Sequence, residues 1–223
     1  MGSIKWNRIS FVAFLVGCLT VASEPVAHAY VLPAEQIVQF MASNFSKTQT
    51  LRVDQYCQET GEEGGSTGFY EVLTMKSPDL FHSRIKDSDE RKGAERDNFY
   101  LQFFLSNSAS RLSALLLEMG IDLQKVAYTR MDGVIAYRIG DTEETSPKVL
   151  IEKGRFLPLH VSYRASGPEG TLVKAKFLDY RKVEQAWYPF ETLYSRADGT
   201  TQKCTVRSLR VNGPVSPSLF GPK

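Results

Sequence analysis

Histidine and cysteine are both scarce in this 223-residue chain, with three of each. That scarcity removes most metal and nucleophile chemistry. Beyond the first thirty residues the histidines are His82 and His160, and neither has a second metal-ligand type at useful spacing. There is no G-x-S-x-G, no C-x-x-C and no glycine-rich phosphate loop. Glu62/Glu63, Asp87/Asp89/Glu90 and Glu143/Glu144 fall in loop-like stretches, where solvation accounts for them. The residues therefore point away from an enzyme and away from a metal or cofactor. Charge of one sign is missing as well, the formal net charge being +2. Basic residues are not interleaved with aromatics on one predicted face, so nucleic acid is not an expected partner. No internal repeat or low-complexity segment is present.

What the chain does have begins with a leader. Lys5 and Arg8 form a basic start, Ile9 to Ala22 is apolar, and Ala27-His28-Ala29 is a small-x-small cleavage site. The apolar run is shorter than the roughly 20 residues of a comfortable transmembrane helix. Leu15-Val16-Gly17-Cys18 also matches the pattern at which bacterial lipoproteins are cleaved and acylated on the cysteine. The apolar segment continues past Cys18 through Leu19-Thr20-Val21-Ala22, which favours cleavage after Ala29 and a mature start at Tyr30. The expected division is 1–29 as signal peptide and 30–223 as one domain. About 190 residues suffice to bury roughly 70 % of the unfolded surface.

Pro33 to Phe45 predicts an amphipathic helix, with Ala34, Ile37, Val38, Met41 and Phe45 on one face. Strands follow at Leu51–Gln58, Phe69–Met75 and Leu80–Ile85. Lys86 to Asp97 is a mixed-charge run of solvated character. Phe99, Tyr100, Phe103 and Phe104 then recur at helical spacing. Ser108 reads as the N-cap of a helix carrying Leu112, Leu115, Leu116 and Met119, with Gly120 as its stop. Ile121–Arg130 and Val134–Ile139 predict a hairpin turned by Asp132-Gly133.

The clearest stretch is Lys148 to Tyr180, which predicts a three-strand meander. Gly154 suits a positive φ in its first turn. Leu157, Leu159, Val161 and Tyr163 alternate with Pro158, His160, Ser162 and Arg164, and Val173, Ala175 and Phe177 alternate with Lys174 and Lys176. One face is greasy and one is wet. Trp187–Ser195 and Gln202–Val211 complete about ten or eleven strands. Pro158 and Pro189 lie inside strands and point to edges or bulges. Cys57 and Cys204 each sit on the apolar face of a strand. They form a bridge if a sheet curling toward closure makes those strands neighbours, and two buried thiols otherwise.

The opening P-A-E-Q-I-V-Q-F-M-A-S-N-F with T-L-R-V-D-Q-Y, the hairpin V-L-I-E-K-G-R-F-L-P-L, the block K-F-L-D-Y-R-K-V…W-Y-P-F and the ending V-N-G-P-V-S-P-S-L-F resemble the outer-membrane lipoprotein carrier family (LolA/LolB-like) of Gram-negative bacteria. The resemblance spans nearly all of residues 30–223. It implies a mainly β fold with a helical lid (α+β): a curved antiparallel sheet forming an incomplete β-barrel, with two or three helices over a hydrophobic concave face. It also implies a periplasmic, monomeric carrier of lipid acyl chains or lipoproteins. The expected cavity wall is Phe99, Phe103, Leu112, Leu115, Leu116, Met119, Leu157, Leu159, Val161, Tyr163 and Phe177. Relatives often latch the lid with a strand arginine, and Arg52 and Arg84 are the candidates here. The other class considered is an envelope structural, assembly or interaction protein with no transported ligand.

Overall fold

The computed structural model describes residues 30–61, 64–86, 97–165 and 170–221. The leader with Cys18, and most of the mixed-charge run, lie outside the described residues. Val31–Lys223 forms one unit by itself.

Helix α1 (Ala34–Phe45) starts after the extended Pro33, whose carbonyl accepts from the N–H groups of Gln36 and Ile37. Ile37, Val38, Met41 and Phe45 are fully buried, as their spacing predicts. The strands are β1 (Thr50–Thr60), β2 (Ser66–Lys76), β3 (Leu80–Ile85), β4 (Val126–Met131), β5 (Val134–Gly140), β6 (Lys148–Glu152), β7 (Pro158–Arg164), β8 (Leu172–Val183), β9 (Ala186–Arg196) and β10 (Thr201–Val211). Between β3 and β4 lie a 3₁₀ helix, Phe99–Leu105, and helix α2 (Ala109–Glu118).

Ser108 caps α2 through its Oγ, which accepts from the Arg111 N–H. At the other end Gly120, at φ +77°, lets its own N–H donate to Leu117 and the Ile121 N–H donate to Leu116. That closure takes Ile121 into the core and delays the next strand. β4 therefore begins at Val126, not at Ile121 as the apolar run predicts.

All strands pair antiparallel in one sheet, ordered β3-β2-β1-β10-β9-β8-β7-β6-β5-β4. The sheet is not closed into a barrel. β3 and β4 are its two edges, so the segment joining them must cross from one edge to the other. That segment carries the 3₁₀ helix and α2, and the crossing lays them, with α1, over the inner face. The C-terminal 3₁₀ helix Pro217–Phe220 lies against β3, which shields an exposed edge.

Two irregularities bend the meander. β6 and β7 shift register between Leu150↔His160 and Ile151↔Pro158, which leaves Leu159 as the extra residue of a bulge. In β8, Asp179 adopts φ +50° between the Leu178↔Glu191 and Tyr180↔Pro189 pairs. Pro189 has no N–H to give there. Both prolines thus occupy distorted positions, as expected of strand prolines. The left-handed residue of the β6–β7 turn is Phe156 (φ +55°) rather than Gly154. Asn44 of α1 holds it by donating to the Arg155 and Phe156 carbonyls.

Cys57 and Cys204 are joined by a disulfide. They are direct partners in the β1–β10 ladder, with Cα atoms 4.1 Å apart. Closure of the sheet is not what brings them together. β10 pairs with β1 in the sheet's interior, and the outer edges stay open. The bridge closes a separation of 147 residues, worth about 5 kcal/mol of loop-closure entropy at most. Reduction is expected to lower the unfolding free energy by several kcal/mol in urea titrations with and without dithiothreitol. A curve indifferent to reductant removes the bridge from the account.

Candidate functional site

The inner face of the sheet and the helices that cover it gather most of the expected cavity wall. Phe103, Leu112, Leu115, Leu116, Met119, Leu157, Val161, Tyr163 and Phe177 are buried in one core cluster, and Phe99 packs against it from a half-buried position. Leu159 is the exception. The bulge that makes it an extra residue turns it off the inner face, where it lines a shallow cleft of about 200 Å³ with Val134 and Leu178. Strict alternation along β7 predicted otherwise.

The centre of this cluster is aromatic rather than aliphatic. Phe104, on the 3₁₀ helix, lies 5.6 Å from Phe45, 5.4 Å from Phe177 and 5.0 Å from Tyr188, ring centre to ring centre. Tyr100 lies 5.8 Å from Phe177 and 5.9 Å from Tyr194. Helical spacing of aromatics flags Tyr100 and Phe104, but Phe45, Tyr188 and Tyr194 come from distant strands and α1. Only the folded chain shows that they meet. Burial pushes the Tyr163 phenol far above its ordinary range. At the β3 edge, a cleft of about 210 Å³ lies between β2–β3 and the 3₁₀ helix. Met75, Leu80, Phe81, Phe99 and Leu101 line it.

The helical segment is tied to the sheet mainly by apolar contact. Its side-chain hydrogen bonds to the β2–β3 turn are Arg111 Nη2 to the Pro78 carbonyl at 2.6 Å and Ser77 Oγ to the Leu105 carbonyl at 3.4 Å. Arg52 and Arg84 cannot latch it. Both are exposed, and they alternate with inward residues, Leu51 and Val53 around Arg52, Ser83 and Ile85 around Arg84. The tie runs the other way, from a helix arginine to a sheet turn.

A buried carboxylate was invisible to the sequence pattern. Glu71 on β2 is 4 % exposed and accepts from Gln55 Nε2 at 2.7 Å and from Ser83 Oγ. It lies beside Cys57 and Cys204, but those sulfurs are committed to each other and offer no thiolate to a metal.

The roomiest of the described clefts lies on the opposite, outer face, with a volume of about 630 Å³. Two cross-strand rows form its floor: His160, Lys176, Leu193, Lys203 and Gln58, then Lys174, Ser195, Thr201 and Thr60. The β4–β5 tip walls it with Met131, and Asp132 at that tip pairs with Lys176 at 2.6 Å. Lys174 pairs with Glu144 and Lys203 with Glu191. The groove is therefore amphipathic and close to neutral.

Burial, then the charges of Lys174, Lys148 and Lys176, lower the His160 pKa to about 4. A histidine whose folded pKa lies below its unfolded value of about 6.5 contributes stability above that unfolded value. The contribution is lost as pH falls toward 4. Unfolding free energy is expected to drop by about 2–3 kcal/mol from pH 7 to pH 4 on this account, and His160→Gln to flatten that part of the slope. An unchanged slope in the variant would show that other groups carry it. Arg111→Ala is expected to cost about 1–2 kcal/mol and to speed amide exchange in α2 ahead of the sheet. Uniform exchange across both would show that Arg111 is not a local tie.

No family model and no curated protein matches the chain in sequence. Solved structures do match in shape. A domain described as an outer membrane lipoprotein-sorting protein from Vibrio parahaemolyticus is 13 % identical with a TM-score of 0.53, over 84 % of this chain and 95 % of that one. A LolA superfamily protein from Nitrosomonas europaea is 7 % identical with a TM-score of 0.56, over 86 % and 99 %. A DUF1329 family protein from Desulfovibrio piger is 13 % identical with a TM-score of 0.55, over 85 % and 98 %. At these identities the likeness is one of fold: an open, ten-stranded antiparallel sheet with its helices on one face, the fold of the LolA superfamily.

Proposed function

We propose that the protein is a non-enzymatic binder of lipid acyl chains, free or carried by lipoproteins, working in the periplasm of a Gram-negative bacterium. The observation that carries this is the helical segment Phe99–Glu118. It spreads an apolar, aromatic-rich surface over the inner sheet face, and among the described residues two side-chain hydrogen bonds link it to the β2–β3 turn. A cover held this way exchanges its own contacts for those of an acyl chain at little polar cost. Each methylene moved from water to such an interior contributes about 0.8 kcal/mol, so a chain of ordinary length offsets much of the cost of leaving a membrane. Entry is expected at the β3 edge, through the cleft beside Phe99. Among the described residues no helix is long and apolar enough to cross a membrane.

The close packing of the inner face favours a second reading, an envelope assembly or interaction protein whose interior is filled by its own side chains.

A fluorescent fatty-acyl probe separates the two. Wild type is expected to take up the probe. At least one of Leu112→Arg, Leu115→Arg and Leu116→Arg is expected to stay folded and lose uptake, because a charge in the cavity bars the chain. Val161→Arg, on the facing strand, is expected to lose uptake too. Leu193→Arg, in the outer groove, is expected to keep it. Loss through Leu193→Arg alone would move the ligand to the outer face. No uptake by wild type, with every leucine change unfolding the chain, leaves the interaction protein.

A further inference from the structure

In an antiparallel meander alternate turns share one end of the sheet. Here the turns β4–β5, β6–β7 and β8–β9 lie together in that way, and the end of α1 joins them through the Asn44 hydrogen bonds to Arg155 and Phe156. Phe40 packs on Phe156 at 4.7 Å, Phe156 on Tyr137 at 5.9 Å and Tyr137 on Tyr128 at 5.1 Å. Phe40, Val134 and Ile135 are among the few large apolar side chains left exposed, at 45 %, 39 % and 42 %. Phe40 reaches Tyr137 through Phe156, and Ile135 stands two residues from Tyr137 on the same face of β5, so these two form a patch, with Val134 at the same hairpin tip.

Cations are interleaved with these rings. Lys153 sits 4.7 Å over Tyr128, while Arg155 and Lys182 sit 5.6 and 5.9 Å from Trp187. Arg130 is exposed opposite Ile135 in the hairpin. Beside Trp187, Ser43, Ser46, Lys47, Lys182 and Gln185 line a polar cleft of about 250 Å³. Of the nearby carboxylates, Glu152 is ion-paired with Arg155, Asp132 with Lys176 and Asp179 with Arg181, and among the described residues of the rim cations outnumber carboxylates. No single predicted face shows this mixture, because separate turns and a helix end contribute to it.

We infer that this rim is a docking surface for an anionic phospholipid bilayer. Aromatic side chains with one wet edge settle at headgroup depth, and lysines and arginines beside them meet the phosphates. The polar cleft between Lys47 and Lys182 provides donors for one such phosphate. A rim of turn tips with cations seated over rings, and with a cleft lined by polar and cationic side chains, suits an anionic headgroup surface better than the apolar anchor pocket that a protein hot spot needs. The inference goes beyond acyl-chain binding and does not depend on it.

The test uses protein purified from the periplasm; of the two tryptophans in the sequence Trp6 lies in the expected leader, so Trp187 is the fluorescence reporter. Vesicles of three parts phosphatidylethanolamine to one part phosphatidylglycerol, without any acyl probe, are the partner. Wild type is expected to sediment with them at 0.1 M salt, to shift its Trp187 emission to the blue, and to release at 0.5 M salt. Lys47→Glu/Lys182→Glu is expected to lower partitioning at least about tenfold. Phe40→Ser/Ile135→Ser is expected to lower it several-fold. Leu117→Ser, a more exposed apolar site on α2, should leave it unchanged, and circular dichroism checks that all variants are folded. The inference is overturned if wild type stays in the supernatant, if the rim variants bind as well as wild type, or if Trp187 emission is unmoved. Equal binding to purely zwitterionic vesicles overturns the anionic part. A rim that binds an envelope protein and no vesicle assigns the surface to a protein partner instead.

Discussion

The pairing of β1 with β10 is the contact on which the rest of this molecule depends. It joins an N-terminal three-strand unit to a C-terminal seven-strand meander, and the disulfide fastens it across directly opposed residues. Because these two strands meet in the interior of the sheet, the edges are β3 and β4, which are neighbours in the chain but not in the sheet. The segment between them has to traverse the sheet. Helices over the inner face therefore follow from topology as much as from their own apolar stripes.

That crossing divides the molecule into two unlike faces. The inner one is dry, aromatic at its centre and closed by a segment whose polar ties are few. The outer one keeps its lysines laid across the strands, each drawn to a carboxylate of the β4–β5 tip, the following loop or the neighbouring strand. Distortions at Leu159 and Asp179, both next to proline-containing ladder positions, bend the sheet between these faces. A regular ladder there would place Leu159 in the core and flatten the wall.

Much of the architecture was legible along the chain. The period of apolar residues located α1 and α2, Ser108 and Gly120 marked the ends of α2, and Asp132-Gly133 announced its hairpin. These are signals carried by neighbours within a few residues, and local chemistry decides them. The candidate site was legible in part. Nine of the residues expected along the wall are buried in the inner cluster and Phe99 packs against it, but Leu159 is not there, since a bulge depends on how two strands meet rather than on either alone. That Tyr188, Tyr194 and Phe45 meet the aromatics of the 3₁₀ helix was not legible either, since they come from separate elements, and Glu71 looked like one more carboxylate until its partners were in place.

By itself, the sequence determined which segments are strands and helices, which side of each is apolar, and that no familiar catalytic motif is present. Those properties rest on backbone sterics and side-chain chemistry at short range. The tertiary structure alone decided the strand order, the joining of Cys57 to Cys204, the direction of the Arg111 tie and the assembly of a cationic, aromatic rim from three turns. Each of these requires residues far apart in the chain to arrive at one place. Loop-closure entropy opposes such meetings, and only the collective burial of the whole core stabilises them.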